Sequence, residues 1–62
     1  MRTYFIKVDF YVFTQLHTYQ TIIKCVPEDV IKVAEAAVIK KYSNCNSLVT
    51  ESIIIQKIVL LD

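Results

Sequence analysis

Glycine is absent from this 62-residue chain, proline occurs once and cysteine twice. Without glycine there is no phosphate-cradling loop of the usual kind, and no Asn-Gly or Gly pair to set the tightest hairpin turn. Cys25 and Cys45 allow one bridge at most, stand 20 residues apart and show no CxxC spacing. His17 is the sole histidine, so the roughly four Cys/His ligands of a zinc site are not available. Charge is also scarce as a long-range field. The net +1 draws in neither nucleic acid nor an anionic membrane.

Long apolar runs are missing too. The longest uncharged stretch, Phe10 to Ile23, carries Thr14, Gln15, His17, Thr18, Gln20 and Thr21, whereas a spanning helix needs about 20 mostly apolar residues. Lys7 and Asp9 interrupt any secretory apolar core near the start. Free thiols fit a reducing compartment, so the expected location is cytoplasmic, with no membrane association.

What is present is apolar side chain in excess. Such residues make up 55% of the chain, with nine isoleucines, against an average near 45–50% that normally includes glycine. Disorder is thereby excluded. A chain this short supports one domain, residues 1–62, and buries only about 60% of its unfolded surface. Small domains compensate with disulfides, a metal or oligomerisation. Oligomerisation is the device left.

The periodicity predicts an α+β domain of ββαβ order, a three-stranded antiparallel sheet with one helix on one face. Tyr4 to Phe13 alternates with period two. Tyr4, Ile6, Val8, Phe10 and Val12 make an apolar face, while Phe5, Lys7, Asp9, Tyr11 and Phe13 mix charge with aromatics. Thr18 to Val26 reads as a second strand. A loop centred on Gln15 and Leu16 pairs Val12 with Tyr19, Val8 with Ile23 and Ile6 with Cys25, which keeps one face apolar. It also sets Lys7 against Lys24.

Pro27, Glu28 and Asp29 suit a helix start. The helix runs to Tyr42 or Ser43, with an apolar stripe of Val30, Ile31, Val33, Ala34, Ala37, Val38 and Tyr42. Ile39 falls opposite the stripe, and Asn44 is the expected left-handed stop. A loop over residues 43–47 leads to a third strand within Leu48 to Leu61, clearest from Ile53 to Leu60. Neither of its faces is polar. Ser52, Ile54, Gln56, Ile58 and Leu60 are expected under the helix, because burying Lys57 with the other set costs more. The first strand is expected to be central.

Three such strands present a face of about 450 Å², and a 16-residue helix shields about half of one face. The face away from the helix is therefore left with a patch comparable to the 300–600 Å² of the largest patches on monomers. Covering it would contribute on the order of 10 kcal/mol before association costs. The expected interface is Phe5, Tyr11, Phe13, Ile22, Ile53, Ile55 and Val59, and the expected partner is a second copy of the chain or another protein.

Chemistry-bearing residues are thin. Cys25 reads as a small core residue. Cys45 lies in a loop near Lys40 and Lys41, and His17 falls at the same end of the fold, so a thiol–imidazole approach is geometrically conceivable. The carboxylates Asp9, Glu28, Asp29, Glu35, Glu51 and Asp62 are dispersed, without a pair for acid–base work. The expectation is a non-enzymatic interaction module that needs no cofactor. The alternative is single-stranded nucleic-acid binding, with bases stacked on Phe5, Tyr11 and Phe13 and lysines 7, 24 and 57 beside them. In element order alone, over its whole length, the chain resembles small ββαβ modules of bacteria and phages. An inhibitor or adaptor of phage type would fit that size and surface.

Overall fold

The computed structural model describes all 62 residues. Strand β1 spans Arg2–Val12 and β2 spans Gln15–Cys25. A 3-10 turn over Pro27–Asp29 leads into helix α1, Val30–Lys41, and β3 spans Leu48–Leu60. The sheet is antiparallel with order β2-β1-β3. The expected ββαβ architecture is thus present, with β1 in the centre.

Alternation on β1 decides which face is the core. Ile6, Val8 and Phe10 are fully buried and Tyr4 nearly so; Cys25, Ala34 and Val38 complete the core. Around it pack Val12, Tyr19, Ile23, Val30, Val33, Tyr42, Leu48, Ile53 and Ile55. Phe10 meets Tyr42 edge-on at 4.9 Å and stacks on His17 at 6.0 Å. Tyr42 also meets Tyr19 edge-on at 6.4 Å, so one aromatic cluster pins the end of α1 to the hairpin half of the sheet.

The hairpin departs from the expected register. The turn is the two-residue Phe13–Thr14, and Val12 pairs with Gln15, Val8 with Tyr19, Ile6 with Thr21 and Tyr4 with Ile23. Lys7 therefore faces Gln20 rather than Lys24. The turn lies two residues earlier than the sequence suggested. An even shift of the pairing keeps every side chain on its face, so hydrophobic patterning cannot distinguish the two registers. Phe13 takes φ 57°, the positive φ that a type II′ turn requires at its first central position. Its N–H donates to the Ser47 carbonyl at 2.9 Å, tying the turn to the start of β3.

β3 is broken by two irregularities against β1, at Lys7/Val8 and at Asp9/Tyr11. The first reverses its alternation. Ile53 and Ile55 face the core, whereas beyond the bulge Ile58 and Leu60 lie on that side, opposite Ile6 and Tyr4. Ile58 and Leu60 thus lie on the side expected but stay exposed beyond the reach of the helix, and Ile54 is on the other side, exposed and paired with Asp9. At the second irregularity Ser52 replaces the missing ladder bond. Its Oγ accepts the Tyr11 N–H at 2.8 Å and donates to the Val49 carbonyl.

α1 differs from expectation at both ends. Ile31, placed in the apolar stripe, is exposed, whereas Ile39 is exposed as its place opposite the stripe implied. Asn44 is not left-handed; Phe13 is the one non-glycine residue with positive φ. After a last α-helical bond from the Tyr42 N–H to Val38 O, the chain instead tightens, with the N–H of Ser43 on Lys40 O and of Cys45 on Tyr42 O. Twelve helical residues span about 18 Å, half of the 35 Å long axis of the molecule.

Candidate interaction surface

The face of the sheet turned away from α1 carries the odd positions of β1 and their cross-strand neighbours. Directly paired residues point to the same side, so the face resolves into four rows. Ile22, Phe5 and Val59 form the first, Gln20, Lys7 and Lys57 the second, Thr18, Asp9 and Ile54 the third, and Leu16, Tyr11 and Val49 the fourth. Two apolar rows therefore bracket a polar middle. Ile22, Leu16 and Ile54 are each about 60% exposed, Tyr11 43% and Val49 37%. Thr3, Lys24 and Leu61 extend the face beyond the first row.

The whole molecule reflects this imbalance. Only 7 of 62 residues are buried, and the accessible surface is 4427 Å², against about 4,100 Å² for a folded monomer of this mass.

Of the seven residues expected at the interface, Phe5, Tyr11, Ile22 and Val59 share this face. Ile53 and Ile55 do not, because the irregular pairing of β3 turns them to the core. Phe13 leaves it as well, 74% exposed at the hairpin tip. The alternation missed Leu16, Val49 and Ile54. Leu16 lies where the sequence suggested a loop, and the other two depend on bulges that composition does not announce.

Polar groups on the face are partly engaged. The Thr18 hydroxyl donates to Asp9 Oδ1 at 2.7 Å. At the end of the sheet Asp62 accepts the Thr3 N–H at 2.8 Å and the Thr3 hydroxyl at 3.1 Å. Those two bonds, with lesser help from Lys24 and Arg2, hold the Asp62 carboxyl below its ordinary value near 3.8. Lys7 and Lys57 face each other across strands, a like-charge pair with no cross-strand carboxylate.

Elsewhere the surface is less organised. A shallow groove of about 440 Å³ runs between α1 and the outer edge of β2, lined by Tyr19, Thr21, Ile22, Ile23, Ala37, Lys40 and Lys41. His17 packs on Phe10, and neither it nor Cys45 enters a side-chain hydrogen bond. Both thiols are free. No group of three or more His, Cys, Asp or Glu side chains converges on a common point. No helix is long and apolar enough to cross a membrane.

Fold and surface together define a small α+β domain with one sheet face partly covered by its helix and the other bare. Compared with family models, curated proteins and solved structures, the chain matches none.

Proposed function

We propose that the protein is a non-enzymatic interaction module that self-associates through the open sheet face. The observation that carries this reading is the pair of apolar rows, Ile22–Phe5–Val59 and Leu16–Tyr11–Val49, spanning all three strands with nothing packed on them. Large apolar groups left in water gain about 25 cal/mol per Å² when covered, and the small core gives this domain reason to use that term. An inhibitor or adaptor acting on another protein would present the same face.

Molar mass by light scattering across a dilution series tests the reading. The expected result is a rise from 7.2 kDa toward twice that value as concentration increases. Leu16→Glu with Ile22→Glu should hold the chain at monomer mass with unchanged circular dichroism, since both side chains stand largely in solvent within one copy. A wild-type monomer at the highest attainable concentration overturns self-association.

Single-stranded nucleic-acid binding keeps one supporting observation. Lys7 and Lys57 on one side and Lys24 on the other flank the Phe5 row on the open face, while the Asp9 row separates Tyr11 from all three. Set against it, Phe13 is off the face, Phe5 is half-buried, and Asp9 and Asp62 share the surface. Absence of binding to a random oligonucleotide at low salt removes this reading.

A further inference from the structure

The order of the four rows does more than offer apolar area; it specifies how a second copy sits. Along β1 the open face reads Phe5, Lys7, Asp9, Tyr11, that is, apolar, positive, negative, apolar. The midpoint is Val8, whose side chain points the other way into the core.

With the strands of the two sheets aligned, as face-to-face packing favours, two arrangements have two-fold symmetry about the centre of this face. In one, the axis runs along the strands. Each row then meets itself, placing Lys7 over Lys7 and Asp9 over Asp9 of the other copy. In the other, the axis runs across the strands beneath Val8. Each strand then meets its own counterpart running the opposite way, and the rows exchange. Ile22–Phe5–Val59 meets Leu16–Tyr11–Val49, and Lys7 meets Asp9, twice by symmetry. Both arrangements match apolar rows to apolar rows. Only the second matches charge, and like charges brought together in an interface cost several kcal/mol.

We infer that the chain forms an antiparallel face-to-face homodimer centred on Val8, in which Lys7 of each copy pairs with Asp9 of the other. This rests on the self-association reading above and adds its geometry. The remaining middle-row residues accept the same arrangement. Gln20 meets Thr18, both polar. Lys57 meets Ile54, whose apolar surface the lysine stem can cover while its ammonium reaches solvent at the sheet margin. Asp9 has one carboxylate oxygen bonded to Thr18 and a second to offer Lys7. Two faces of about 450 Å² give roughly 900 Å², close to the ~1,000 Å² floor for a specific interface. The dimer should therefore dissociate on dilution rather than be permanent.

The test is a charge exchange between chains. Lys7→Glu alone and Asp9→Lys alone each bring like charges together and should weaken self-association at least about 100-fold. An equimolar mixture of the two variants restores both opposite-charge pairs, as does the double variant in one chain. Both should dimerise within about tenfold of wild type. A second measurement avoids reversed charges. Leu16→Cys and Ile22→Cys chains, each with Cys45→Ser, are treated with a short bis-maleimide. Leu16 and Ile22 are about 20 Å apart along β2 but opposed across the proposed interface, so the mixture should cross-link and neither chain alone should. A wild-type dimer whose charge variants do not complement each other, or whose cysteine chains cross-link equally well alone, overturns this geometry and leaves self-association standing. A wild-type monomer overturns the underlying reading itself.

Discussion

The two faces of β1 share one backbone, yet their side chains live under opposite conditions. Ile6, Val8 and Phe10 are fully removed from water, while Lys7, Asp9 and Tyr11 between them keep part of their surface wet. The difference does not follow from hydrophobicity alone. The open face still carries Phe5, Tyr11, Leu16, Ile22, Val49 and Ile54, a set that could form a core if anything lay over it. It comes from supply, because one helix of about 18 Å can shield part of one side of a sheet and none of the other. The covered face supplies the stability of the single chain, and the open face is free to specify a partner.

Neighbouring residues on β1 offer the sharpest test of that division. Phe10 is fully buried and holds Tyr42 and His17. Phe10→Ala should cost about 3–5 kcal/mol, much of the roughly 3–9 kcal/mol available to a domain of this size. Urea unfolding at low protein concentration would measure it. Tyr11→Ala, one residue away on the other face, should cost the monomer about 1 kcal/mol or less and act mainly on self-association. Equal monomer costs for the two would erase the distinction between the faces.

The covered face was legible in the sequence because alternation over eleven residues of β1 leaves little choice. The helix was equally legible from Pro27, the acidic start and the spacing of Val30, Ala34 and Val38. The open face was half legible. Phe5, Tyr11 and Ile22 follow from alternation alone, whichever hairpin register is drawn. Leu16 needed the turn to be placed at Phe13–Thr14, and no glycine or asparagine marks it there. Ile53, Ile54 and Ile55 were ambiguous in principle, since three like residues carry no phase. The extra residues accommodated at Gln56–Lys57 and around Ser52 set their phase, and pairing with β1 decides that, not composition.

Phe13 marks where the open face ends. By alternation it belongs with Tyr11, but the turn removes it and holds it at φ 57°. A side chain with a Cβ pays about 1–2 kcal/mol in that region, whereas glycine there meets only its own entropy loss of about 0.5–1 kcal/mol. Phe13→Gly should therefore raise stability by about 0.5–1 kcal/mol while leaving the association constant unchanged. A fall in association would return Phe13 to the interface; a fall in stability would show that its ring, although largely exposed, contributes packing within the single chain.

At the opposite end of the open face, Asp62 secures β3 to Thr3 of β1 through an exposed carboxylate. Its folded pKa is lowered first by the Thr3 N–H and then by the Thr3 hydroxyl. A lowered carboxylate pKa means the unfolded chain binds the proton more readily. The stabilisation is thus fully present above the ordinary value near 3.8 and is lost as pH falls through the depressed one. Asp62→Asn should be slightly less stable than wild type at neutral pH. The gap should close in acid and narrow with added salt, because the group is exposed to solvent. This is the smallest effect expected here, and thermal unfolding across pH at fixed protein concentration would resolve it. A gap that stays constant into strong acid would assign the contact to its hydrogen-bond geometry alone, with no part for the charge.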